Sequence, residues 1–172
     1  MRRLIFALLG ALALGSVLAL ATTAMARDND DNRGRNQGRT ILEFDTMFPV
    51  APPFLSNPVI RGVVGAGAAW KLTSVEGELK TNGKLEIDVR GLVLVSTGQN
   101  PAATFRGAVS CLTPDGAGGV ATVNKFTREF PATPTGNAHI EDVIPDLPHP
   151  CVAPIVFVVR GNTLVWFAVT GN

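Results

Sequence analysis

The chain has 172 residues, 46% of them hydrophobic and 17% charged, with a formal net charge of +1. Such a balance excludes a protein that engages nucleic acid or an anionic membrane surface through a basic excess. The length suits one domain with enough chain to bury a useful core.

In chain order, Arg2 and Arg3 precede an apolar run from Leu4 to about Ala21, which closes on Ala24-Met25-Ala26. A basic start, an apolar middle and a small-residue end describe a secretory signal over residues 1–26, cleaved after Ala26. A permanent anchor is disfavoured by that small-residue end and by the polar stretch after it. The n-region is too short for a twin-arginine signal, and no cysteine near the cleavage point permits a lipoprotein. Residues 27–39 contain no apolar side chain and cannot offset their own ordering entropy, so they are expected to form a disordered polar leader. No later apolar stretch is long enough to span a bilayer. The expectation is a secreted or periplasmic chain with no stable membrane insertion after cleavage and no nucleic-acid partner.

Residues 40–172 read as a β domain. "TILEFDT" alternates, "FPVAPPFLSNP" is a proline-rich connection, and "RGVVGAGAAW" leads into "KLTSVEGELKTNGKLEIDVRGLVLV", the clearest hairpin. "TFRGAVSCLTP", "GVATVNKFTREF" and "NAHIEDVI" follow as short segments split by Gly, Pro and Asn, and "APIVFVVRGNTLVWFAVTGN" closes the chain. Short strands with turn residues between them predict an all-β, single-domain antiparallel β-sandwich or barrel of about 8 short strands. An outer-membrane barrel is excluded by the absence of tyrosine and the presence of only two tryptophans, which cannot build aromatic girdles.

Core parity sets the register of the first hairpin. A three-residue loop, Thr81-Asn82-Gly83, pairs Leu79 with Leu85 and Val75 with Val89. The polar face then aligns Lys80 with Lys84, Glu78 with Glu86 and Glu76 with Asp88, with diagonal Lys80–Glu86 and Lys84–Glu78 pairs relieving part of the repulsion. In the last hairpin, a two-residue Gly161-Asn162 loop pairs Arg160 with Thr163, Val159 with Leu164, Phe157 with Trp166 and Ile155 with Ala168. The other face pairs Val158 with Val165 and Val156 with Phe167. Both faces are apolar. Either these are central strands wrapped by "FPVAPPFL", or residues 153–170 form a homo-oligomer interface.

Cys111 and Cys151 are the only cysteines. In an exported chain that count predicts a structural disulfide rather than a metal site or a nucleophilic thiol partnered by His149. Cys111 also shares a strand face with Phe105 and Val109. His139 and Glu141 share a strand face that can hold a metal, although two ligands at that spacing more often belong to a solvated face. Ser110 lacks the glycine-flanked elbow of hydrolases, and no glycine-rich phosphate-binding turn is present. No residue is assigned a catalytic or cofactor-binding role. The most specific polar constellation is Glu76, Glu78, Glu86 and Asp88, four carboxylates on one strand face. Hard oxygen ligands in that arrangement can hold Ca²⁺, against which stand a flat surface and two competing lysines.

"VRGLVL", "FRGAVSCLT", "CVAPIVFV" and "WFAVTG" together resemble small secreted bacterial β proteins that carry no assigned function. The resemblance implies export, a disulfide and a compact β fold, and it carries over no catalytic residue. The expected function is that of a secreted, non-catalytic domain acting through surface contacts or oligomerisation. The alternative is a binding module for a small apolar ligand between the last hairpin and "FPVAPPFL". An enzyme assembled without any local motif ranks last.

Overall fold

Alternation of apolar and polar residues, broken by Gly, Pro and Asn, leaves the chain little but antiparallel strands. The computed structural model describes residues 38–171, and no helix occurs among them. The signal segment and residues 27–37 of the leader lie outside the described residues. The strands are β1 (Thr40–Phe44), β2 (Phe48–Pro49), β3 (Val59–Ile60), β4 (Val63–Val64), β5 (Trp70–Lys71), β6 (Ser74–Lys80) and β7 (Lys84–Arg90). They continue with β8 (Val93–Leu94), β9 (Thr104–Pro114), β10 (Val120–Phe126), β11 (Phe130–Pro131), β12 (Ala138–Val143), β13 (Val152–Arg160) and β14 (Trp166–Val169). Eight of them are four residues or longer, the eight expected; the rest are two-residue pairings that periodicity cannot register.

Two open sheets face each other. One has the order β1-β6-β7-β12, the other β10-β9-β13-β14-β2 with β11 added on β9, and neither closes into a barrel among the described residues. Between them lie Val75, Leu79, Leu85, Ile87 and Val89 from the first sheet and Phe105, Val109, Cys111, Val156 and Val158 from the second, all buried. The sheets approach closely at Gly107, where a Cβ would stand 2.6 Å from Leu85 Cδ2. Their spacing there depends on a residue without a side chain.

Gly77 plays the same role within the first sheet. Its Cβ would meet the Phe44 ring at 2.3 Å and the Glu86 carbonyl oxygen at 2.7 Å. Phe44 pairs opposite Gly77 and packs against the core from the edge strand β1. The backbone oxygen cannot step aside. Gly77→Ala is therefore expected to destabilise by about 1–3 kcal/mol, the usual cost of overpacking. A melting curve measures it, and an unchanged midpoint would show that β1 simply moves away.

The β6–β7 hairpin has the expected register: Leu79 opposite Leu85, Val75 opposite Val89, and Gly83 at φ 85°. The diagonal ion pairs do not form. Lys80 instead bonds Glu78 at 3.1 Å and Lys84 bonds Glu86 at 3.4 Å along their own strands. Glu141 on β12, unseen from the hairpin alone, draws Lys84 to 2.8 Å. Arg39, at the end of the expected leader, is tied to the hairpin turn: its N–H donates to Thr81 Oγ1, and Thr81 N–H donates to the Arg39 carbonyl.

The last hairpin corrects the expected register. Its loop covers residues 161–164, with Leu164 at φ 55°; Leu164 N–H donates to the Arg160 carbonyl and Arg160 N–H to the Val165 carbonyl. Val159 then faces Trp166, and a bulge follows before Val158 meets Ala168 and Phe157 meets Val169. At Val159 the slip from the expected partner is two residues, so Trp166 stays on the face of Phe157 and Val159. An even slip moves no side chain to the other face, and where the slip becomes odd beyond the bulge both faces are apolar, so the pattern could not oppose it. Past the bulge the slip is three, which brings Ala168 to the face of Val158, while Phe167 keeps the core face expected of it, stacks on Trp70 at 4.0 Å and meets Phe105 edge-on.

Both faces of β14 and of the second half of β13 are covered within the protomer. Val156, Phe157, Val158 and Val159 are fully buried, and Trp166 to Val169 nearly so. The outer cover is residues 58–66: Trp166 Nε1 donates to the Pro58 carbonyl, and Gly65 sits between the Pro58 ring and the indole. Val50 of the "FPVAPPFL" segment is buried too, while Phe54 points to solvent. The expected disulfide is present, joining Cys111 of β9 to Cys151 just ahead of β13.

Candidate functional site

Strand pairing gathers the carboxylates. Glu43 lies opposite Glu78, Glu78 opposite Glu86, and Glu86 opposite Glu141, so one row of glutamates crosses all four strands of the first sheet. The next row runs Glu76, Asp88, His139. Both rows point away from the core because the alternate positions Val75, Leu79, Leu85, Ile87 and Val89 point into it. Beside β1 the face dips into a broad depression of about 670 Å³ walled by Glu43, Asp45, Glu76, Glu78, Glu86 and Asp88.

Residues 38–171 contain eleven acidic and ten basic residues, so the domain is nearly neutral while six of its carboxylates crowd two rows. Like charges directly opposite are destabilising, and the structure supplies three offsets. Lys80 and Lys84 pair along and across strands as described. Arg90 and His139 Nδ1 approach Asp88 at 3.7 and 3.2 Å. The Thr40 hydroxyl donates to Glu78. Glu76 has no ion-pair partner among the described residues.

These contacts shift ionisation. The Thr40 hydroxyl, and then Lys80, hold Glu78 below the ordinary glutamate value, and Lys84 does the same for Glu141. Glu141, and then Glu86, push Lys84 upward. For Asp142, on the adjoining edge, partial burial opposes ionisation, but the Arg128 and Val143 backbone N–H groups and the Arg128 side chain outweigh it and keep its value low. A depressed folded-state value contributes stability that is present above the unfolded value, near 4.5 for glutamate, and is lost as pH falls through the folded value. Lys84 has the opposite sign: its contribution is present below 10.5 and lost as pH rises through its raised value. Acid titration of the melting temperature is thus expected to fall below about pH 4.5, less steeply in Glu78→Gln/Glu141→Gln. Parallel wild-type and variant curves would show that neither contact is held in solution.

All four carboxylates of the expected calcium patch, Glu76, Glu78, Glu86 and Asp88, share this face. The tightest group of potential ligands is Glu86, Asp88 and His139, whose ligand atoms lie within 4.8 Å of one another. His139 Nε2 also comes within 3.6 Å of Glu141 Oε2, as their shared face predicts. Ser110 is fully buried, and both cysteines are in the disulfide, so neither presents a nucleophile at the surface. His149 is exposed in the turn ahead of Cys151. Sequence reasoning missed Glu43 and the pairing of β12 with β7. Both were visible as polar strand positions, but nothing in their spacing names a neighbour. Neither a family model, a curated protein nor a solved structure matches the chain.

Proposed function

We propose that this is an exported, non-catalytic binding domain whose outer four-stranded face receives a cationic segment of another macromolecule. The observation that carries the reading is the glutamate row Glu43–Glu78–Glu86–Glu141, which gathers negative charge on one face of a nearly neutral domain. Charge segregated this way steers an oppositely charged partner and fixes its orientation. The depression is open, which fits an extended Lys- or Arg-rich strand better than an enclosed metabolite. Export is supported by residues 1–26 and by the disulfide, which persists in oxidising compartments. No helix among the described residues is long and apolar enough to cross a membrane. Self-association through residues 153–170 is left with Ala153, Arg160, Asn162 and Thr163 as its exposed positions.

Hexalysine is the defined probe. Backbone amide shifts on β6, β7 and β12 are expected to saturate at low salt and to vanish near 0.5 M, where the screening length falls to about 4 Å. Glu78→Gln/Glu86→Gln is expected to weaken binding several-fold. Equal affinity in that variant, or shifts confined to the other sheet, would sink the reading.

A second reading keeps the cation but makes it an ion, with the carboxylates of Glu76, Glu86 and Asp88 as its first oxygen ligands. Millimolar Ca²⁺ would then raise the melting temperature of the wild type but not of Glu76→Gln/Asp88→Asn. Identical curves with calcium and with chelator remove that reading.

A further inference from the structure

A second concavity opens at the side of the sandwich, between β1 and the start of β13, with a volume of about 510 Å³. Its walls carry the half-buried apolar side chains of Ile41, Leu42 and Phe44 from one sheet and of Pro154 and Ile155 from the other, with Thr46 and Thr170 beside them. Phe44 is the one residue it shares with the acidic depression. Among the described residues no carboxylate lines it, and one cation does, Arg61.

Two irregularities fix that guanidinium. On β13 the ladder passes from Val152–Leu112 to Ile155–Ser110, leaving Ala153 and Pro154 as a bulge with Ala153 at φ 45°. Arg61, in the turn between β3 and β4, has φ 48°, and its own carbonyl accepts a hydrogen bond from Asn124 Nδ2. Its Nη1 donates to the carbonyls of Ala153 at 2.8 Å and Ser110 at 3.3 Å. Among the described residues, Nε and Nη2 have no partner and no carboxylate forms a salt bridge with this arginine. The charge is thus held at the rim of an apolar groove, with two N–H-bearing nitrogens uncommitted.

A guanidinium offering parallel N–H donors matches a carboxylate, and the apolar walls match a hydrocarbon chain. The volume falls within the range of about 300–1,000 Å³ typical of small-molecule sites. We propose that this groove binds a single-chain amphiphilic carboxylate, its hydrocarbon tail along Ile41, Leu42, Phe44, Pro154 and Ile155 and its head group on Arg61. An apolar ligand was expected against the outer face of the last hairpin, but residues 58–66 cover that face. The site lies instead where the sheets part.

Decanoate below its micelle concentration, added to the full chain, is the test, with decanol and decylamine as comparators. Saturable methyl shifts are expected at Ile41, Leu42 and Ile155, with decanol and decylamine about tenfold weaker or worse, the usual value of a charge-assisted contact. Arg61→Gln is expected to bring decanoate down to the affinity of decanol. Since Arg61 also supports the bulge, the wild-type comparison of the three probes decides the matter even if that variant unfolds. Equal binding of decanoate and decanol, or shifts elsewhere, would overturn the assignment. So would the same residues moving with protein concentration alone, which would make the occupant a second copy. A leucine-rich peptide with a free C-terminus binding there more tightly than decanoate would also overturn it.

Discussion

Removal of the disulfide by Cys111→Ala/Cys151→Ala is expected to lower the unfolding free energy by about 4 kcal/mol, the chain-entropy value for a loop of this size. The cysteines are 40 residues apart, and the loop they close contains β10 and β11 of one sheet and β12 of the other. The bridge therefore tethers an excursion that crosses between the sheets and returns. Cut, that excursion gains its freedom only in the unfolded chain, while the β9–β13 ladder keeps the folded geometry. Loss of sulfur contacts around the fully buried Cys111 adds a smaller packing cost. Urea unfolding measures the sum, and the more expanded unfolded chain should also raise the slope with denaturant. A loss under about 1 kcal/mol would mean that the unfolded chain is already restrained without the bridge.

The disulfide was legible because two cysteines allow only one pairing. The β6–β7 hairpin was legible for a different reason: only one of its faces is apolar, so any odd slip would bury Glu78 and Glu86 and expose Leu79 and Leu85. The last hairpin lacked that asymmetry, and its loop, its bulge and the move of Ala168 to the Val158 face had to be seen. The same limit governs the acidic face. Glu76, Glu78, Glu86 and Asp88 could be placed together because one tight turn joins their strands. Glu43 and Glu141 reach the same row through pairings of strands far apart in the chain, and the Arg61 groove is formed where segments as distant in sequence as Ile41 and Gly171 meet. Periodicity reports which face a residue takes, not which strand lies beside it.

Phe157→Ala is expected to cost about 3–5 kcal/mol, the range for emptying a buried aromatic site. Phe157 is wholly inaccessible, between Ala108 of β9 and Val169 of β14, with the Trp166 ring 6.2 Å away and tilted by 50°. The ladders on both sides of β13 hold the backbone in place, so the surroundings cannot collapse into the space, and the upper part of that range applies. Phe157→Leu, which keeps most of the volume, should cost less than half as much. The decisive comparison is between stability and assembly. The apolar residues Val156 to Val159 and Trp166 to Val169 are buried inside the protomer on both faces, so light scattering behind size exclusion should give the same mass for wild type and Phe157→Ala at every concentration while the melting temperature drops. A near-neutral change in stability with a lost oligomer would reverse this and place the Phe157 face against a second copy.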